Sequence, residues 1–197
     1  MPNSFRLLAQ DILALADAGD APAAFEKLND GVQTLPQEPH SAFLAGCLYE
    51  RLKDWQQARC FYLQSLNLEI NAPRIWHRLG IACLEGGDLD GAERALKVAI
   101  QQKPSEAPYY VDLSLVQARK GAFHDALQNA ITGDSLCPNH VPAINNIAHA
   151  LQCLGRSEES LPYYDRAIAL APENGVCRFG RAVSLLKIGN FEAGWRE

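Results

Sequence analysis

No stretch of this sequence approaches the roughly 18–20 uninterrupted apolar residues that a bilayer-spanning helix requires, so no membrane association is expected. Cationic excess is also missing. Eighteen lysines and arginines face 23 aspartates and glutamates, and a net charge of −5 gives no counterion-releasing surface for nucleic acid. There is no Cys-x-x-Cys: the six cysteines, at 47, 60, 83, 137, 153 and 177, stand thirteen or more residues apart. That spacing excludes the usual paired-ligand zinc site and does not suit the disulfide framework of a short secreted domain. They read as reduced packing thiols of a cytoplasmic protein.

Catalytic signatures are equally scarce. The five histidines, at 40, 77, 124, 140 and 149, form no His-Glu-x-x-His pair, and no Gly-x-Ser-x-Gly occurs. The glycines of Glu85-Gly86-Gly87-Asp88 lead into no Gly-Lys-Ser/Thr, so they make a helical corner rather than a phosphate loop. The expectation is a non-catalytic chain with no cofactor and no metal. Gln10, Asp11 and Asp17 interrupt the leucines of MPNSFRLLAQDILALADAGD, which therefore has no signal-peptide core and reads as an amphipathic helix.

What is present is period. Glycine stands at 19, 87, 121, 155 and 189, steps of 34 or 68, and Lys53 fills the skipped place. Proline stands at 36, 104, 138 and 172 on the same lattice, skipping Ile70. Cutting at that period gives units 5–38, 39–72, 73–106, 107–140 and 141–174, with a partial unit 175–197. Within each, glycine at the fifteenth place and proline at the thirty-second leave room for two helices of about 14 residues joined by a tight turn.

The apolar spacing agrees. Trp76, Leu79, Gly80 and Cys83 fall at i, i+3, i+4 and i+7, and Leu89, Ala92, Leu96 and Ala99 make the partner stripe. Residues that let helix backbones approach recur at the eighth place (Gly46, Gly80, Ser114, Ala148, Ala182), where Ile12 is the exception. They recur again at the twentieth (Ala24, Ala58, Ala92, Ala126, Ser160, Gly194) and the twenty-seventh (Gly31, Ser65, Ala99, Gly133, Ala167). The prediction is an all-α array of stacked antiparallel helix pairs. Phe61, Tyr62, Tyr163 and Tyr164 read as packing on the second helices.

These residues resemble the tetratricopeptide repeat, carried most fully by Trp76, Leu79, Gly80, Ala92, Ala99 and Pro104, and by Ile144, Ile147, Ala148, Ser160, Tyr164, Ala167 and Pro172. The resemblance covers residues 5–197 and implies a right-handed superhelical solenoid forming a single domain over residues 1–197. It also implies a protein-interaction scaffold whose first helices line a concave groove for a protein or peptide segment. The acidic balance argues against the RNA-reading pentatricopeptide relatives.

In such repeats the second, fifth, sixth, ninth, twelfth and thirteenth places face the groove. Here they select His40, Phe43, Glu50 and Arg51; then Arg74, His77 and Arg78; then Asp112 and Arg119; then Asn145, Asn146, His149 and Gln152. Arg74 and Arg78, one turn apart, suit bidentate capture of a carboxylate, and Asn145 with Asn146 suits an extended peptide backbone. The lysine and asparagines of the chaperone-tail carboxylate clamp are missing, replaced by Ala9, Leu13 and Leu44.

The last residues, GNFEAGWRE, begin a further second helix with Phe191 and Trp195 on one face and no polar cap. Two alternatives follow: a fragment of a longer chain that would cover them, or docking on another copy to give a homodimer through terminal repeats. The wording Gly-Asn-Phe-Glu-x-Gly-Trp also resembles the last repeat of bacterial tetratricopeptide proteins that continue into a glycosyltransferase-like domain. That resemblance implies a substrate-recruiting arm of a larger enzyme.

Overall fold

A computed structural model of the chain describes residues 3–33, 39–68 and 72–196. All regular structure among them is helical, and it divides into two compact units, Met1–Gln102 and Lys103–Glu197. The first holds three helix pairs: α1 (Asn3–Asp17) with α2 (Ala21–Gln33), α3 (Pro39–Arg51) with α4 (Trp55–Leu68), and α5 (Pro73–Glu85) with α6 (Leu89–Gln102). In the second, α7 (Ala107–Arg119) packs on α8 (Phe123–Leu136) and α9 (Val141–Cys153) on α10 (Ser157–Leu170). There α11 (Gly175–Lys187) packs on the short α12 (Phe191–Gly194).

The corners fall on the glycine lattice. Gly19, Gly87, Gly121, Gly155 and Gly189 all have φ between 78° and 85°. At every corner the residue after the glycine donates its N–H back to the last turn of the preceding helix, as Asp88 does to the Cys83 carbonyl at 2.8 Å. Lys53 adopts the same left-handed conformation, φ 62°, and Asp54 closes the same bond to Tyr49 at 2.9 Å. The residue after the corner then caps the next helix where it is acidic or amide. Asp20, Asp54, Asp88 and Asn190 each accept the backbone N–H three residues on, at 2.8–3.2 Å. Pro104, Pro138 and Pro172 each follow the end of a second helix by two residues, where the helix cannot continue. Pro36 and Ile70 lie outside the described residues.

Left-handed backbone costs a residue bearing a Cβ about 1–2 kcal/mol, so the second corner carries strain that the others avoid. Lys53→Gly is therefore expected to raise stability by about 1 kcal/mol, net of the entropy glycine adds to the unfolded chain. Gly121→Ala, whose Cβ would meet nothing within 4 Å, should lose about 1 kcal/mol from backbone strain alone. Urea unfolding of both variants checks the pair, and equal midpoints for wild type and Lys53→Gly would refute the strain.

Small residues sit where helices cross. Ala24, Ala58, Ala92, Ala126 and Ser160 are essentially inaccessible, and the neighbouring large side chains fill the space they leave. A Cβ on Gly46 would stand 2.6 Å from the Tyr62 ring, one on Gly80 2.7 Å from Leu96 Cγ, and one on Gly133 2.8 Å from Val111. Tyr62 and Tyr164 are the largest fully buried side chains, and Phe61 stacks on Tyr49 with centroids 5.2 Å apart. Ile12, the exception at the eighth place, is itself buried. Trp76 is half-buried, and its indole N–H is enclosed without an acceptor.

Candidate functional site

The first helices of unit Met1–Gln102 bring groove positions together around a cavity of about 580 Å³. Its apolar wall is Ala9 and Leu13 of α1, Leu44 and Leu48 of α3, and Trp55 at the start of α4. Cys47, Glu50, Arg51, Lys53 and Arg78 complete the lining. The volume lies within the range of about 300–1,000 Å³ usual for pockets that enclose a bound group.

A polar chain organises one side of it. Glu50 accepts the Tyr62 hydroxyl at 2.5 Å on one carboxylate oxygen and the Arg78 guanidinium at 2.6 Å on the other. Tyr62 is buried, so its hydroxyl depends on Glu50 for a full-strength partner; it also lies 3.6 Å from Cys47 Sγ. Burial, followed by that hydrogen bond to Glu50, raises the Tyr62 pKa and keeps the phenol protonated. Burial likewise pushes the Cys47 thiol up, against the opposing effects of Tyr62 and Arg78, which favours the neutral thiol in the cavity wall.

The other groove residues of this unit are separately placed. Arg51 pairs with Asp17 at 2.7 Å, linking the thirteenth places of the first two repeats. Phe43 lies against Tyr62, centroids 5.9 Å apart, and His40 is exposed at the start of α3. Arg74 is exposed and makes no hydrogen bond or ion pair to a described residue, whereas Arg78 is held by Glu50. His77 is half-buried between them in sequence.

In unit Lys103–Glu197, several groove residues are spent on the neighbouring repeat. Asn146 donates to the Val111 carbonyl at 3.2 Å and to Ser114 Oγ at 2.8 Å, tying α9 to α7. Gln152 is buried and donates to the Gly180 carbonyl at 2.8 Å and to Ser184 Oγ at 2.7 Å, and Ser184 meets Ser160 at 2.7 Å. Among the described residues Asn145 has the weak Cys177 thiol contact at 3.6 Å, while Asp112 is half-buried and Arg119 exposed. His149 lies 3.6 Å from Cys153 Sγ, and ring desolvation, helped by Lys187, holds its pKa below the usual histidine value.

Two groove positions of the sixth repeat complete this wall: Val176 and Phe179 on α11, 67% and 72% exposed. They stand at the second and fifth places of their repeat, so the same lattice that selected the other residues reaches them. The cysteines are all free, and only Cys83 and Cys177 are buried, so the expectation of packing thiols does not extend to the exposed Cys60 and Cys137. No group of three or more potential metal ligands occurs among the described residues. None of the described helices is long and apolar enough to cross a membrane.

Models of the tetratricopeptide repeat match residues 43–107 and 141–174, the latter coinciding with the fifth unit of the sequence lattice. The chain belongs to the tetratricopeptide repeat family. Family and fold are those of protein-interaction scaffolds. The chain is 27% identical over 178 residues to protein FlbA of Caulobacter vibrioides, covering 90% of this chain but 30% of FlbA's length. Among solved structures, PilW, described as a type IV pilus biogenesis factor, superposes with a TM-score of 0.80 at 15% identity, over 97% of this chain and 89% of PilW. YrrB, described as a tetratricopeptide protein with an unusual peptide-binding site, superposes with a TM-score of 0.67 at 15% identity, over 86% and 88% of the two chains. At those identities the structural likeness bears on fold alone.

Proposed function

We propose that the chain is a non-catalytic protein-interaction module that receives an extended peptide or protein segment along the groove positions of its first helices. The single observation that carries this reading is the cavity of about 580 Å³, whose lining comes largely from the groove places of three successive repeats. Side chains held on packed helices lose little freedom when a ligand arrives, so the ordering cost falls mainly on the peptide. The peptide-binding site for which YrrB is described is consistent with the same use of the fold.

Ligand contact is assigned in the first unit to His40, Phe43, Arg51, Arg74 and His77, with Arg78 beside them and Glu50 positioning Arg78. In the second it is assigned to Asp112, Arg119, Asn145 and His149, with Asn146 and Gln152 positioning the helices that carry them. Affinity capture with wild type, Arg74→Ala/Arg78→Ala and Leu44→Glu tests the reading. Captured partners should be lost or weakened at least about tenfold in both variants while their melting temperatures stay within a few degrees of wild type. Retention of the same partners at the same strength would remove the groove from the account.

Self-association is a second reading, favoured by the exposure of Phe191 and Trp195, 62% and 79%. Light scattering at two concentrations tests it: a mass that rises with concentration and falls back in Trp195→Ser supports it, and a constant monomer mass excludes it.

A further inference from the structure

The lattice of corners holds one anomaly. Five of six carry glycine, and only the second carries a side chain in left-handed backbone, Lys53. The same residue lines the cavity. Non-glycine residues held in such backbone concentrate at ligand clamps, where the side chain contributes something its conformation would otherwise exclude.

Charge around the cavity runs against the charge of the chain. The molecule is net −5, yet three of the four charged side chains lining the cavity are cationic, Arg51, Lys53 and Arg78. The fourth, Glu50, has both carboxylate oxygens engaged by Tyr62 and Arg78, and Arg51 is matched by Asp17. Lys53 is exposed and has no hydrogen bond or ion pair to a described residue, and Arg74, a turn before Arg78, is in the same condition. A preformed apolar hollow is therefore bordered by one uncommitted cation, Lys53, with a second, Arg74, one turn along α5 from the lining residue Arg78.

We propose that this cavity takes one bulky apolar side chain from an acidic segment of a partner protein, with Lys53 and Arg74 meeting the carboxylates that flank it. The proposal rests on the groove reading above and narrows it. Glu50 is then a positioning residue: it fixes the Arg78 guanidinium at the rim and closes the Tyr62 hydroxyl, without touching the ligand. Glycine at this corner would then give a more stable molecule with a poorer grip on acidic peptides.

The test uses the 197-residue chain and labelled peptides read by fluorescence anisotropy: Asp-Glu-Phe-Glu-Asp, its Phe-to-Ala form, and Lys-Lys-Phe-Lys-Lys. The acidic phenylalanine peptide should bind tightest, about tenfold or more above each of the others, and should weaken between about 50 and about 200 mM salt. Lys53→Gly should melt about 2–4 °C higher than wild type yet bind the acidic peptide at least about threefold more weakly, and Lys53→Glu should bind more weakly still. Equal affinity for acidic and basic peptides, or undiminished binding by Lys53→Gly, overturns the proposal.

A random peptide library panned on the same chain separates the two levels. Selection of acidic sequences with a central aromatic or leucine supports the proposal. Selection of other sequences that are lost with Leu44→Glu, and with Leu13→Glu as a second blocking variant, overturns it but leaves the groove reading standing. No selection at all overturns both.

Discussion

Tyr164→Ala is expected to cost about 3–5 kcal/mol, the largest loss from any single substitution considered for this chain. The ring is 1% exposed and packs among Ile144, Ala148, Ala167 and Cys177, the meeting point of α9, α10 and α11. On the other side it lies against Gly180, where a Cβ would stand 2.5 Å from the ring. Removing it deletes the contact shared by two successive repeats, and rigid helices cannot collapse into the gap. Urea denaturation followed by circular dichroism reads the effect. A loss below about 1 kcal/mol would mean that the twenty-fourth place is not the shared centre of the repeat pair.

Gly80→Ala should destabilise the chain by about 1–3 kcal/mol, opposite in sign to what helix propensity alone gives. In the interior of an exposed helix the same change gains about 1 kcal/mol. Here the new methyl would meet Leu96 Cγ at 2.7 Å and approach the Ala92 carbonyl at 3.5 Å, and Leu96 is fully buried with no free direction to move. The sign decides between two roles for glycine at the eighth place, a backbone-contact residue or a propensity defect. Trp76→Ala should cost about 3 kcal/mol, the low end for loss of a core tryptophan, because Trp76 is only half-buried and its enclosed N–H lacks an acceptor.

Most of the architecture was legible because the features that fix it are backbone requirements. A left-handed corner asks for glycine and a helix stop tolerates proline, so both leave marks at fixed spacing that need no knowledge of neighbours. Lys53 shows the limit of that logic. The lattice located its corner without glycine, yet only coordinates reveal that the lysine takes up the same φ and borders a cavity.

The groove was legible as a set of positions and not as a set of free side chains. Arg78, Asn146 and Gln152 stand at groove places, but each is bonded across to a neighbouring repeat, to Glu50, to Val111 with Ser114, and to Gly180 with Ser184. Whether a polar group is spent in this way depends on the identity of a residue some 28–35 positions away, which periodicity alone does not weigh. Ala9, Leu13 and Leu44 illustrate the converse. In sequence they registered as departures from a carboxylate clamp, whereas together they wall an apolar cavity.

The most direct measurement on the central claim, that the first helices and not the second present the binding surface, is chemical-shift mapping of the labelled chain titrated with the acidic phenylalanine peptide. Perturbations should centre on Leu13, Leu44, Cys47, Lys53 and Arg78, with the outer faces of α4 and α6 unaffected. Perturbations centred instead on α4 and α6, at saturating peptide, would contradict it.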